Sequence, residues 1–186
     1  MTATYRPVAV VDPVGRTPGA ADLLAAKERD SWCTPKWLAD LIGPVDLDPC
    51  SNDRSHVQAA TKWDGAPHDG LALAHTVHER ARVFINSPYS RGQVIQWVRA
   101  YRHTDFMFLV RLDPSTAWWA LLMRERPHVW MPDRRIGFDP PPRVKASTNP
   151  FPHAIVARTL SPAMLTAGYP WTRAVATMRD ALTGAR

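Results

Sequence analysis

The sequence lacks the features that mark secreted, metal-binding and membrane-spanning proteins. It has two cysteines, Cys33 and Cys50, which are too few for a disulfide framework and do not form a Cys-x-x-Cys pair. His75 and His78 lie three positions apart, but no cysteine or acidic pattern nearby completes a metal site. No run approaches the ~18 apolar residues of a membrane span, and the N-terminus has no signal-peptide core. These absences predict a cytoplasmic protein without a metal.

Length and charge favour one soluble domain with a polyanionic partner. The 186 residues include 45% hydrophobic and 22% charged positions, which is ordinary for a globular domain. The net charge of +6 suits nucleic acid, although the basic residues are scattered and form no long run. The 18 prolines and 8 tryptophans indicate a loop-rich chain with rigid aromatic anchors.

The most informative stretch is Arg-Val-Phe-Ile-Asn-Ser-Pro-Tyr-Ser at residues 82–90. Its apolar start predicts a buried strand, and Pro88 ends the regular structure. Asn86 and Tyr89 are thereby placed just past the carboxyl end of that strand, where open α/β sheets bind ligands. Asn-Ser-Pro-Tyr taken alone is also compatible with an ordinary turn.

The residue types in this loop suit the chemistry of an exocyclic base amine. Such an amine is a poor nucleophile because its lone pair is delocalised into the ring. The Asn86 side-chain oxygen and the Ser87 carbonyl are two acceptors that would hold its N–H groups. Tyr89 would stack on a base lifted out of the helix, a contact worth about 1–3 kcal/mol.

This loop resembles the Asn-Pro-Pro-Tyr motif of amino-methylating DNA methyltransferases, with Ser87 at the first proline position. The wider chain, from residue 30 to about 158, is similar to the phage DNA N6-adenine methyltransferase (Dam-like) family. The resemblance implies an α/β protein with an abbreviated Rossmann-like class I methyltransferase fold and a mixed sheet. It also implies S-adenosylmethionine as cofactor and double-stranded DNA as partner, in the cytoplasm of a bacterial host if the gene is phage-encoded. Asn86, Ser87, Pro88 and Tyr89 are then the catalytic residues.

Three further blocks match the cofactor-binding parts of the family. Thr34 and Pro35 precede a predicted helix, where Thr34 is either an N-cap or part of the pocket near the methionine end. Asp48, Pro49 and Cys50 follow a short strand, and Asp48 is either a turn former or an acceptor for the cofactor's ammonium group. Asp69 belongs to an Asp-Gly-Leu block that the resemblance places near the adenosine, although a solvated loop acid is an equal alternative.

Hydrophobic periodicity predicts the remaining elements. Three helices are predicted: one after Pro35, one capped by Ser90, and one rich in tryptophan. Their apolar stripes are, in that order, Trp37, Leu38, Leu41 and Ile42; Val94, Ile95, Val98 and Tyr101; and Trp118, Trp119, Leu121 and Leu122. Buried strands are predicted at residues 106–112, 128–131 and 150–157. Residues 51–80 are predicted to be irregular, which shortens the sheet.

A basic, proline-rich segment is the predicted DNA contact. Arg134 and Arg135 occupy a block that resembles the family's Gly-Arg-x-x-Phe, and Arg143 and Lys145 follow three consecutive prolines. A solvated loop is the alternative. The predicted organisation is an N-terminal arm and short helix over 1–30, the methyltransferase domain over 31–160, and a helical extension over 161–186.

Two other functions remain open from the sequence. An amide-clamping loop also suits methylation of cytosine N4, RNA or a protein glutamine amide. The serine at position 87 leaves room for a DNA-binding or assembly module on a decayed methyltransferase fold. The recognition sequence and the oligomeric state have no signature in the chain.

Overall fold

Five predicted apolar runs and one strand that was not predicted form a six-stranded sheet. The computed structural model describes residues 31–65, 68–89, 93–142, 144–145 and 149–167. The strands within these ranges are β1 (Val45–Asp48), β2 (Ala59–Lys62), β3 (Arg82–Ile85), β4 (Asp105–Arg111), β5 (His128–Trp130) and β6 (His153–Ala157). The predictions of β1, β3, β4, β5 and β6 are confirmed to within a few residues.

The sheet is mixed, with the order β2-β1-β3-β4-β6-β5. β1 pairs in parallel with β2 and with β3, and β3 pairs in parallel with β4. β6 runs antiparallel to both of its neighbours, β4 and β5. The chain leaves β1 for β2 on one side and returns to β3 on the other side. The carboxyl ends of β1 and β3 therefore flank a topological switch point, where open α/β sheets form a ligand crevice.

Helices cover both faces of the sheet because successive side chains of a buried strand point to opposite faces. The helices are α1 (Lys36–Ile42), α2 (Val94–Tyr101), α3 (Ala117–Met123) and α4 (Pro162–Ala167), with a 3-10 turn at Ala74–Thr76. Phe106, Phe108 and Val110 of β4 pack with α2 and α3, whereas Met107 and Leu109 pack with α1 and α4. The architecture is a three-layer α/β structure with two apolar cores.

Two predictions about α1 are wrong. Pro35, not Thr34, is the N-cap residue, and no side chain caps the helix, so the first helical residue is Lys36. The backbone amides of Leu38 and Ala39 donate to the Pro35 carbonyl. Trp37 is 40% exposed and lies outside the apolar stripe, whereas Leu38 is fully buried. The Thr34 hydroxyl has a tertiary partner that replaces the capping interaction.

Residues 51–80 are less irregular than predicted, because β2 lies within them. This strand was missed since its side chains are mostly exposed and give no apolar run. The second helix begins at Val94 and also buries Trp97, while its predicted cap, Ser90, lies outside the described residues. α3 is confirmed, with the Thr116 hydroxyl accepting from the Trp119 amide.

The described residues end at α4 on the C-terminal side. Ser161 caps this helix by accepting from the Met164 amide at 3.1 Å, and its hydroxyl also donates to the Leu41 carbonyl of α1. The predicted arm and helix over 1–30, and the extension beyond residue 167, lie outside the described residues. Within the described ranges, no helix has the length and apolarity needed to cross a membrane.

Candidate functional site at the β1–β3 switch point

The switch point brings together side chains from three separate parts of the sequence. Asp48 ends β1, Asn86 follows β3, and Thr34 lies just before α1. The Asn86 side-chain nitrogen donates to the Thr34 hydroxyl oxygen at 3.3 Å, across 52 positions of sequence. Cys50 lies against the backbone amide of Asn86 and so connects the two strand ends. Three of the four predicted blocks therefore meet at one edge of the sheet.

Loop 86–89 leaves the sheet without regular structure, as Pro88 predicts. Ser87 is 2% exposed, and its hydroxyl oxygen is buried without a hydrogen-bond partner in the described part of the chain. The Tyr89 hydroxyl donates to the Leu109 carbonyl of β4 at 2.8 Å. Burial of this hydroxyl raises the pKa of Tyr89, so the phenol is neutral at physiological pH. The loop is thus held at its Tyr89 end by β4 and at its Asn86 end by Thr34.

Two residues that the sequence did not single out follow one another from the Tyr89 ring: Arg111 lies over the ring, and Phe151 packs against Arg111. The Arg111 guanidinium, at the end of β4, lies 5.0 Å from the Tyr89 ring centroid and 4.2 Å from that of Phe151. Arg111 forms no ion pair with any carboxylate in the described ranges, and Phe151 is 45% exposed. A planar cation therefore lies between two aromatic rings, which is the arrangement that also accommodates a flat base.

His153 also contacts the Tyr89 ring. Its ring packs edge-on to Tyr89, with the centroids 5.9 Å apart. Burial, with a smaller contribution from Arg111, lowers the pKa of His153 to about 4, so the imidazole is neutral near pH 7. Its Nδ1 lies 3.0 Å from the Phe151 carbonyl and 3.2 Å from the Asn149 side-chain nitrogen. These contacts give His153 a structural role in supporting the Tyr89 ring.

Asp48 is a buried acid, 3% exposed. The Cys50 amide and the Ser55 hydroxyl each donate to one of its carboxyl oxygens at 3.3 Å. Burial raises the pKa of Asp48 to about 6, an effect that these hydrogen bonds and the charge of Lys62 only partly offset. Burial, and secondarily the nearby Asp48 charge, also raises the pKa of the Cys50 thiol. The carboxyl group is therefore short of positive charge.

Asp69 and Gly70 pack directly onto the turn that follows β1. A Cβ atom at Gly70 would lie 2.1 Å from the Pro49 carbonyl oxygen, so only glycine fits there. The Gly70 carbonyl accepts from the buried Tyr101 hydroxyl, and the Asp69 carboxylate accepts from the amides of Leu71 and Ala72. The Asp69 block thus lies beside Pro49, but its carboxylate already closes its own turn.

The basic segment folds back toward this edge of the sheet. Cys33 and Asp139 exchange backbone hydrogen bonds of 2.9 and 3.0 Å, which joins the segment to the residue before Thr34. Arg54 adds a second connection, because its guanidinium donates to the carbonyls of Pro140 and Ser31. Sequence inspection missed Arg54, since its partners are remote in the chain.

The predicted DNA-contacting residues differ in their surroundings. Arg134 is exposed and pairs with the neighbouring Asp133 at 3.0 Å. Arg135 donates to the Pro150 carbonyl, while Lys145 is exposed and has no ion pair in the described part of the chain. Arg143 lies outside the described residues. The same described ranges contain no group of three or more histidine, cysteine or acidic side chains arranged to hold a metal ion.

Comparison with known proteins gave one family. Residues 22–173 match the model of DNA N-6-adenine-methyltransferase (Dam), which covers the sheet, loop 86–89 and the basic segment. Neither the curated proteins nor the solved structures gave a match. Because the family model spans most of the sequence, the chain belongs to the DNA N-6-adenine-methyltransferase (Dam) family.

Proposed function

We propose that this protein transfers a methyl group from S-adenosylmethionine to the N6 amine of adenine in double-stranded DNA. The observation that carries the proposal is the position of loop 86–89, which follows β3 beside the buried Asp48 carboxyl in a chain of the Dam family. We further infer that the sheet is an abbreviated Rossmann-like methyltransferase sheet. The parallel strands β1 to β4, the switch point and the antiparallel β6 support this inference.

In this proposal, Asn86 and Ser87 orient the target amine. The Asn86 side-chain oxygen accepts one N–H and the Ser87 carbonyl accepts the other, which turns the lone pair out of the plane of the ring. The amine is then both positioned and more nucleophilic. Because the donor methyl is already activated, the reaction requires alignment in a dry site more than a strong general base. The absence of a catalytic histidine from the loop agrees with this chemistry.

Tyr89 is the proposed stacking surface for the extruded adenine. The hydrogen bond to Leu109 holds the ring against the sheet, and Pro88 stiffens the chain that carries it. The guanidinium of Arg111 lies over the ring in the free protein, so the base would take the place of Arg111 on that face. We propose that Phe151, on the far side of Arg111, forms the second wall of the base pocket.

The residues near the switch point fit S-adenosylmethionine. The buried Asp48 carboxyl, short of positive charge, suits the cofactor's ammonium group, and ionisation of this acid at neutral pH would be stabilised by that contact. In this proposal, Pro35, Pro49, Cys50 and Asp69 complete the pocket, whereas the Thr34 hydroxyl is engaged by Asn86. When bound, the cofactor supplies a methyl group made labile by its sulfonium.

Phosphate contacts are proposed for the basic segment. Arg134, Arg135, Arg143 and Lys145 belong to the stretch that Cys33 and Arg54 hold beside the site. Because phosphate contacts position DNA without reading its sequence, this surface accounts for affinity and not for the recognition site.

Product analysis tests the proposed reaction. Duplex DNA is incubated with the protein and labelled S-adenosylmethionine, digested to nucleosides and separated. The proposal predicts label in N6-methyl-2′-deoxyadenosine only. Label in N4-methylcytosine would replace adenine with cytosine as the acceptor. Cofactor binding by calorimetry without transfer to DNA, RNA or protein would favour a non-catalytic module.

A further inference from the structure

We propose that Thr34 is a positioning residue that orients the Asn86 amide for catalysis. The inference rests on the proposed function, because it assigns a role to Thr34 within the same site. It also differs from the role that the sequence suggested for Thr34, which was a helix cap or a part of the cofactor pocket. The observation is the hydrogen bond from the Asn86 side-chain nitrogen to the Thr34 hydroxyl oxygen at 3.3 Å.

The orientation matters because the two ends of an amide have opposite hydrogen-bonding character. The oxygen accepts hydrogen bonds, whereas the NH₂ group donates them. A target amine that offers two N–H groups needs the oxygen of Asn86. If the Asn86 amide were rotated by 180° about its terminal bond, its NH₂ group would face the N–H groups of the target amine, and no hydrogen bond would form. With its nitrogen on the Thr34 hydroxyl, Asn86 keeps its oxygen available for the target amine, whereas the rotated amide would use that oxygen to accept from the same hydroxyl.

Thr34 is well placed to hold this orientation. It is 4% exposed, and the neighbouring Cys33 is fastened to Asp139 by two backbone hydrogen bonds. The Thr34 hydroxyl does not cap α1, because Pro35 is the N-cap residue of that helix. In the described part of the chain, the Thr34 hydroxyl pairs with the Asn86 nitrogen and with no other side chain. A buried hydroxyl on an anchored segment loses little freedom when it makes this bond.

The test separates catalysis from cofactor binding. Thr34→Val keeps the shape of the side chain and removes the hydroxyl, and Thr34→Ser keeps the hydroxyl. We expect Thr34→Val to lower kcat by about 10- to 100-fold, which is typical when a reacting group is misplaced. The dissociation constant for S-adenosylmethionine should stay within about twofold of the parent value, and Thr34→Ser should restore most of the rate. Thr166→Val, on the exposed face of α4, is the matched control.

A double-mutant cycle with Asn86→Asp tests whether Thr34 acts through the orientation of the Asn86 amide. A carboxylate has two equivalent oxygens, so it has no orientation for Thr34 to select. Thr34→Val should therefore change kcat by less than about threefold when it is combined with Asn86→Asp. A loss of cofactor affinity that accounts for the whole effect, or a serine variant as impaired as the valine variant, would overturn the inference.

An NMR measurement tests the contact even if the parent transfers no methyl group. The Asn86 side-chain NH₂ signal is identified by its absence in Asn86→Asp. We expect this signal to shift, and its hydrogen exchange to accelerate, in Thr34→Val but not in Thr34→Ser. An unchanged signal in Thr34→Val would refute the positioning role. A parent without methyl transfer but with the expected NMR change would instead contradict the proposed function alone.

Discussion

At the scale of single residues, Asp48 is a proposed cofactor ligand whose charge state depends on pH. Burial raises its pKa from 3.8 to about 6 in the folded protein. If only the ionised carboxyl binds the cofactor's ammonium group, affinity for S-adenosylmethionine falls as pH drops through about 6. At pH 5 we expect binding about tenfold weaker than at pH 7. Calorimetry from pH 5 to pH 7 measures this dependence.

Asp48→Asn provides the control for this prediction. The amide does not ionise, so its affinity should be lower at pH 7 and nearly flat from pH 5 to pH 7. The same shift affects the stability of the free protein. Because the pKa of Asp48 is higher in the folded protein than in the unfolded chain, its neutral form stabilises the fold. This contribution of Asp48 is fully present below about pH 4 and is lost as the pH rises through about 6. Asp48→Asn should therefore melt higher than the parent at pH 8. A parallel pH dependence in both proteins would remove Asp48 from the cofactor site.

Ser87 gives a second prediction at this scale. Its hydroxyl oxygen is buried without a partner in the described chain, and an unsatisfied buried polar group costs about 1–3 kcal/mol. Ser87→Ala should thus be neutral or stabilising in thermal unfolding, and activity should persist because the acceptor is the backbone carbonyl. Ser87→Pro should also retain or increase activity, since it stiffens a loop already restrained by Pro88. A large loss of activity in Ser87→Ala would instead assign the hydroxyl a direct role with substrate.

At the scale of secondary-structure elements, the close packing of Gly70 against the turn after β1 yields a sharp prediction. A methyl group at this position collides with the Pro49 carbonyl and with Trp97. Gly70→Ala should displace the turn that carries Asp48 and weaken S-adenosylmethionine binding by about tenfold or more, in the range of effects seen when a supporting group moves by about 1 Å. Calorimetry and a melting curve measure the two effects.

Gly137→Ala is the matched control for that change. No atom lies within 4 Å of a Cβ at Gly137, so this substitution should leave binding and stability close to the parent values. Equal behaviour of the two alanine variants would mean that the Asp69–Gly70 block does not support the cofactor site.

How far the elements could be predicted depended on whether their cause was local. β3 and β4 are apolar runs, and α3 has the Thr116 cap, so local patterns were sufficient. β2 was missed because an exposed edge strand carries no apolar signature. The prediction that Thr34 caps α1 was wrong because the Thr34 hydroxyl accepts a hydrogen bond from Asn86, which is remote in the sequence. Local propensity gave no indication of that competition.

At the scale of the whole molecule, the residues that form the proposed base pocket could not be predicted from sequence. Arg111 and Phe151 lie 40 positions apart in the chain and meet only because β6 inserts antiparallel beside β4. Arg54 joins Ser31 to Pro140, which is 86 positions away from Arg54. Such contacts follow from topology, whereas the assignment of Asn86 to Tyr89 rested on a resemblance to the family that extends over several blocks of the sequence.

The basic segment is tested by the salt dependence of DNA binding. Neutralising Arg143 and Lys145 to alanine should weaken binding to any duplex. It should also reduce the slope of log affinity against log salt by about 0.9 for each phosphate that the protein no longer neutralises. Arg99→Gln, exposed in the last turn of α2, is the control and should leave the slope unchanged. A slope equal to that of the parent in the double variant would mean that the segment faces solvent.

The most direct test of the account is methyl transfer by Asn86→Ala. The measurement is the rate of labelled-methyl incorporation into adenine of duplex DNA, with cofactor affinity determined on the same preparation. Because Asn86 is proposed to align the amine mainly in the transition state, its loss should lower the rate by about 100-fold or more and leave affinity for S-adenosylmethionine nearly unchanged. If Asn86→Ala methylates adenine as fast as the parent, the assignment of loop 86–89 as the active site is wrong.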